Sequence, residues 1–165
     1  MASYVPDGIT KINRSQFLTY LDTTPASTAT WKILGVGITE YGIDFNPQVD
    51  TEKWIIEDNS RSDHSSNQKQ GSVTQRYYKG DPVFEFVSAG RDKLNYKTHI
   101  LDIDRWNGTG SSYPAKKSDV IITVTSYMGE NAEIEYDIYY DGDAVEGTAT
   151  FDGNGNPSFT ETTSL

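Results

Sequence analysis

Two stretches, Asp119 to Met128 and Glu133 to Tyr140, carry alternating side chains and constrain the fold more than any other feature of the chain. In Glu133-Ile-Glu135-Tyr-Asp137-Ile-Tyr139 the acids fall on one strand face, and Ile134, Tyr136, Ile138 and Tyr140 fall on the other. Such a pattern buries one side and leaves the other in water, so the pair reads as a hairpin linked by Gly129-Glu-Asn-Ala132. Shorter stretches of the same kind are expected as strands at 31–38, 41–45, 51–57, 73–78, 98–106, 145–152 and 157–160, with turns at Asp141-Gly142 and Gly153-Asn-Gly-Asn156. Phe17, Leu18, Tyr20 and Leu21 suit either a strand or one helical turn, and Thr23 to Thr30 reads as a connector.

One helix stands out, over about residues 81–94. Asp81 can cap it and Pro82 fits its first turn, where a missing N–H costs nothing. Val83, Phe84, Val87, Gly90 and Leu94 then recur at helical spacing, which predicts that Val83, Phe84, Val87 and Leu94 pack the helix onto a sheet. Roughly eight strands with one helix make the chain mainly β, a sandwich or barrel with a flanking helix. A length of 165 residues suits a single domain, with residues 1–13 and 157–165 expected to be extended or mobile.

Between Asp58 and Gly71 lie fourteen residues without an aliphatic or aromatic side chain. They cannot build a core, and a loop of that length inside a compact domain is usually functional or disordered.

Charge narrows the partners. Fourteen Lys and Arg against 24 Asp and Glu leave 14 − 24 = −10, a balance that repels phosphate and argues against sequence-specific nucleic-acid binding. The absence of cysteine removes disulfides, thiol nucleophiles and thiolate metal sites. Met1-Ala-Ser-Tyr-Val-Pro-Asp has neither the basic nor the apolar region of a secretory signal, and Ile33 to Ile38 is far shorter than the roughly 18 residues of a membrane span.

No catalytic constellation emerges. His64 and His99 lack a second histidine at ligand spacing, and no Gly-x-Ser-x-Gly turn exposes a nucleophile. Asp152-Gly-Asn154-Gly-Asn156 begins like a calcium loop, but Pro157 and Thr163 stand where glycine and glutamate are needed, so a hairpin turn is the better reading. Gly35-Val-Gly37 lacks the third glycine of a nucleotide fingerprint. The acid row of 133–137 is a solvated outer face or a surface meant to be negative. No enzyme activity, cofactor or metal is expected.

Three segments taken together carry a resemblance: Asp44-Phe-Asn-Pro-Gln-Val-Asp-Thr-Glu-Lys-Trp-Ile-Ile-Glu-Asp58, Tyr78-Lys-Gly-Asp-Pro-Val-Phe-Glu-Phe-Val87, and Asp137-Ile-Tyr-Tyr-Asp-Gly-Asp-Ala-Val-Glu-Gly-Thr148. In order and spacing the chain resembles the major tail (tail tube) proteins of tailed phages infecting Gram-positive bacteria, over most of residues 14–152. The resemblance implies a β-sandwich tail tube fold whose copies form hexameric rings, stacked into a conduit for genome delivery. It implies a long hairpin arm reaching the next ring, here 58–71 with 51–57 and 73–78 as its stem, so that Asp58, Arg61, Asp63, His64, Gln68 and Lys69 would make the stacking contacts. It implies a location in the virion after assembly in the host cytoplasm, a tape measure protein inside the tube, and tail terminator or distal tail proteins at its ends. DNA would pass without specific binding, and Glu133, Glu135 and Asp137, or Glu52 and Glu57, would be the acidic lumen lining. No membrane binding is expected. Tube proteins of phage-like contractile injection systems are similar as well. Outside this family, the rival reading is a carbohydrate-binding module stacking sugars on Trp31, Trp54 and Trp106; a hydrolase using clustered acids trails it.

Overall fold

A computed structural model describes residues 8–163, and the molecule is mainly β with a nearly closed, barrel-like sheet and one helix. The elements are β1 (Phe17–Asp22), β2 (Trp31–Ile33), β3 (Pro47–Glu52), β4 (Arg61–Asn67), β5 (Gln70–Arg76), α1 (Pro82–Ala89), β6 (Tyr96–Asp104), β7 (Ser112–Tyr127), β8 (Glu133–Phe151) and β9 (Pro157–Glu161). Seven strands form one antiparallel sheet in the order β2-β1-β6-β7-β8-β5, with β9 beside the second half of β8. β3 and β4 pair only with each other.

The sheet curls until its two edges nearly meet. Ile38 and Asp44, on the segment leaving β2, bridge to Gln75 and Gln70 of β5. Gly37 permits this closure, because its φ of +73° is unfavourable for other residues and an added Cβ would lie 2.4 Å from the Arg76 carbonyl oxygen. The expected strand at 31–38 is therefore cut short: after Ile33 the chain turns through 34–37 instead of continuing along β1. Likewise 41–45 forms no strand and makes its one backbone bridge to the sheet at Asp44.

Two apolar clusters hold the barrel. Val83, Phe84 and Val87 of α1 pack on Leu21, Ile100, Val120, Ile122, Ile134, Tyr136 and Ile138. Tyr20, Trp31, Leu101, Ile103, Ala115 and Ala149 make the second cluster, partly covered by Tyr113, Phe151 and Phe159. Strand β6 serves both, since successive side chains point to opposite faces and Ile100 and Leu101 are each fully buried. Burial on both faces explains why 98–106 alternates poorly in sequence.

The helix begins as its capping residues predict. Asp81 accepts a hydrogen bond from the Val83 N–H at 3.1 Å, and Pro82 occupies the first turn. It ends earlier, at Ala89, so Leu94 is 93% exposed and packs on nothing, contrary to the expectation. At Gly90 a Cβ would lie 2.0 Å from the Tyr96 ring, which stacks against Phe86 at 4.9 Å. That ring sits beside the helix end and β6 begins there.

The turn expected at Asp141-Gly142 is also corrected. β8 runs straight through it as a bulge, with Asp141 opposite Asp119 and Val145 opposite Lys117. Both flanking halves of β8 are already committed to β7, and Gly142 at φ +80° absorbs the extra residues. Pro157–Glu161 is a strand paired with β8 rather than a loose terminus. Of the termini expected to be extended, residues 1–7 and 164–165 lie outside the described residues. Of the two readings for Phe17 to Leu21 the strand holds: these residues lie in β1, which a 3-10 turn at Arg14–Gln16 leads into.

Candidate functional site

β3 and β4 form a ribbon that projects from the barrel, and every residue of both strands is exposed. Its base is fixed by paired backbone hydrogen bonds between Asp44 and Gln70, at 2.8 and 2.9 Å, and by the Gln68 N–H donating to the Phe45 carbonyl at 2.9 Å. Along the ribbon Val49 faces His64, Asp50 faces Asp63 and Glu52 faces Arg61. Asp50 opposite Asp63 is a like-charge pair, which weakens a two-stranded ribbon that is marginal on its own.

The tip, residues 53–60, is where the apolar side chains sit. Trp54 lies under the Arg61 guanidinium at 4.2 Å, donates from Nε1 to Glu52 at 3.1 Å, and Arg61 pairs with Glu57. These contacts stiffen the turn and leave Ile55 102% and Ile56 84% exposed. The arm is thus 47–67 with β3 and β4 as its stem, not a 58–71 loop on strands 51–57 and 73–78. The strand expected over 51–57 stops at Glu52, and Trp54, Ile55 and Ile56 stand in the tip beyond it. Of the residues proposed for the arm, Arg61, Asp63 and His64 stand on β4 and Asp58 in the tip. Gln68 and Lys69 lie at the base, Lys69 with its ammonium 5.4 Å from the Phe45 ring centre.

The acid row holds together on the first half of β8. Glu133, Glu135 and Asp137 stand opposite Arg76, Thr74 and Ser72 of β5, and Ser72 Oγ donates to Asp137 at 2.7 Å. On the other side of β8, Asp141 faces Asp119, with Lys97 3.5 Å from Asp141. Glu52 and Glu57 do not join this face; both belong to the ribbon and its tip.

Inside the barrel two polar networks replace apolar packing. Gln75, fully buried, donates to Asp81 Oδ2 at 2.7 Å and to the Val36 carbonyl at 3.1 Å, and accepts from the Tyr136 hydroxyl at 2.9 Å. It joins β5, β8, the helix cap and the 34–37 turn. The second network runs from Tyr41 through Tyr140, 2.9 Å between hydroxyls, to Asp102, which also accepts from Thr19 at 2.8 Å. Burial pushes the Asp102 carboxyl up to about 6, although the bonds from Thr19 and Tyr140 pull it down, and burial likewise holds both tyrosine hydroxyls above their ordinary value.

His99 Nδ1 lies 3.0 Å from the buried Asp22 carboxylate, and Nε2 lies 3.5 Å from Asp119. Asp22 also accepts from the Thr24 and Thr30 N–H groups, so the cluster ties down the 23–30 connector. In the β8–β9 turn the Asp152 carboxylate is taken up by the Asn154 and Asn156 N–H groups, at 2.8 and 2.9 Å. Trp31 is buried in the second cluster, Trp106 leans on Phe17 at 6.2 Å, and Trp54 is at the tip, so the three tryptophans stand on separate elements.

An open groove of about 690 Å³ lies beside β2, lined chiefly by Phe17, Leu18, Ile33, Val36 and Ile38. Neither the groove nor the apolar tip was anticipated. The tip did leave a signal, a short Trp-Ile-Ile run between Lys53 and Glu57-Asp58. Compared with models of known protein families and with curated proteins, the sequence finds no match.

Proposed function

We propose that this protein is a structural subunit of a phage tail tube, which assembles with copies of itself into stacked hexameric rings and forms the conduit for genome delivery in the virion. The observation that carries the reading is the ribbon: an element without a single buried strand residue holds Ile55 and Ile56 out into water, beyond a barrel whose own cores are filled. An exposed apolar tip of this kind marks an interaction surface. The acid row of β8 supports a negative lumen lining, because a face that repels phosphate lets DNA slide. In this reading a tape measure protein fills the tube before DNA does, terminator or distal tail proteins close its ends, and the subunit performs no catalysis. Electron microscopy of the purified chain tests it. Tubes or six-fold rings are the expected outcome, and a monomer at all concentrations would overturn it.

A further inference from the structure

The second core cluster ends in a cleft of about 310 Å³ whose wall includes Leu18, Tyr20, Arg105, Ser111, Tyr113 and Phe151. Of five surface clefts among the described residues, the other four each carry at least one acid, and this one has Arg105 as its only charged side chain. On a chain of net charge −10, a cleft whose sole charge is positive selects an anion.

Two polar groups in it stand without partners. Among the described residues Arg105 makes no ion pair. Its guanidinium lies 5.8 Å from the Tyr113 ring centre and 5.9 Å from that of Phe151. Packing against rings occupies the guanidinium face and leaves its in-plane N–H donors for a carboxylate. Tyr20 is 7% exposed, and unlike the similarly buried Tyr136, whose hydroxyl bonds Gln75, it hydrogen-bonds nothing in the chain. That unbonded hydroxyl is not sealed from solvent, so it opens into the cleft that Tyr20 lines. Burial holds it above its ordinary pKa and the Arg105 charge pulls it back, which puts the two groups within electrostatic reach of each other.

The rings set the body of the ligand. Phe151 meets Tyr113 edge to face at 5.7 Å and Tyr20 at 6.2 Å. Gly108 lets the Tyr113 ring lie against the backbone, where a Cβ would stand 2.5 Å from it, and so fixes that ring. Three fixed rings favour a flat aromatic body. A sugar's hydroxyls would lose water against Leu18 and Phe151. A phosphate monoester carries about 1.5 to 2 negative charges at neutral pH, more than one guanidinium offsets.

We infer that this cleft binds a small aromatic carboxylate, with the acid on the Arg105 guanidinium and the Tyr20 hydroxyl, and the ring packed on Phe151 and Tyr113. The site does not depend on self-assembly and stands or falls apart from it.

Equilibrium dialysis of the full chain against 2-naphthoate tests it in any state of association. Saturable binding is expected, with a dissociation constant of about 1 mM or below, the affinity that ligands of this size reach. 2-Naphthamide, the same shape without the charge, should bind at least about 10-fold more weakly, and so should 2-naphthoate to Arg105→Gln. Arg105 is exposed, so its replacement leaves the core intact, and the amide comparison needs no variant at all. Tyr20→Phe keeps the ring and should weaken the acid about 3-fold, a change that a merely apolar cleft would not show. Uptake that does not saturate, or acid and amide bound alike, overturns the inference. So does a wild-type affinity for the acid that Arg105→Gln retains. Binding of glucuronate in place of 2-naphthoate overturns it in favour of an acidic sugar, and tighter binding of phenyl phosphate overturns it in favour of a phosphate ester.

Discussion

β4 and β5 are consecutive strands of seven residues each and are nearly equally polar, Arg-Ser-Asp-His-Ser-Ser-Asn against Gln-Gly-Ser-Val-Thr-Gln-Arg, yet they obey opposite burial rules. Every residue of β4 is exposed, whereas Gly71, Val73 and Gln75 of β5 are buried. The difference lies in what is across from them. β5 pairs with β8, whose Ile134, Tyr136 and Ile138 face α1; β4 pairs only with β3. Polarity alone does not decide whether a strand is body or arm. The partner strand decides, and it gives a buried glutamine three hydrogen bonds where the ribbon gives its side chains water.

The comparison breaks most visibly if the body is not stabilised by the layer behind β5. Phe84→Ala removes a ring that is 2% exposed and stacked at 4.3 Å on Tyr77, so a loss of about 3–5 kcal/mol is expected in chemical denaturation. Ile56→Ala, on the ribbon, should leave the midpoint where it is. Equal losses at the two sites would erase the distinction.

Gln75→Leu probes the polar half of the same argument. It keeps roughly the volume but strands Asp81, the Tyr136 hydroxyl and the Val36 carbonyl, with an expected cost of about 2–4 kcal/mol. A neutral or stabilising result would mean that the network is replaceable by packing.

What could be read in advance follows the same division between local and distant causes. The helix start was legible because Asp81 and Pro82 act within one turn, and the β8 face because alternation is a property of the strand itself. Leu94 was misplaced because the helix end depends on Tyr96, six residues beyond Gly90. The Asp141-Gly142 turn was misread because pairing of both flanks with β7 overrides a local turn preference. The arm was shifted because nothing in Trp54-Ile55-Ile56 distinguishes a core strand from a tip meant for another surface. Gln75 has the phase of Val73 on β5, but only the fold reveals that three partners await it.

Asp102→Asn gives a smaller effect of opposite sign. The folded carboxyl titrates at about 6 against 3.8 for the free group, so the folded state favours its protonated form. That contribution is complete below about pH 4 and is lost as pH rises through 6. Neutralising the group should therefore stabilise the barrel at pH 8 by about 3 kcal/mol at most and change little at pH 4, while Asn still accepts from Thr19. A urea midpoint measured across this range checks it, and a parallel offset of the two curves would show that burial of Asp102 does not set its titration.

The smallest expected change in stability belongs to the ribbon and sharpens the comparison most. Replacing residues 53–60 by Asn-Gly removes the apolar tip and closes β3 onto β4 with a turn suited to a two-residue hairpin. No core contact is lost, so the denaturation midpoint should move by less than about 0.5 kcal/mol. Amides of 47–67 should exchange much faster than those of β5 in both proteins, because the ribbon has no buried face to protect it. A loss above about 1 kcal/mol would make the tip part of the fold. An unchanged midpoint together with lost assembly would separate the two roles cleanly: β5 spends its alternate side chains on the body, and β4 holds a tip whose apolar surface is left for another molecule.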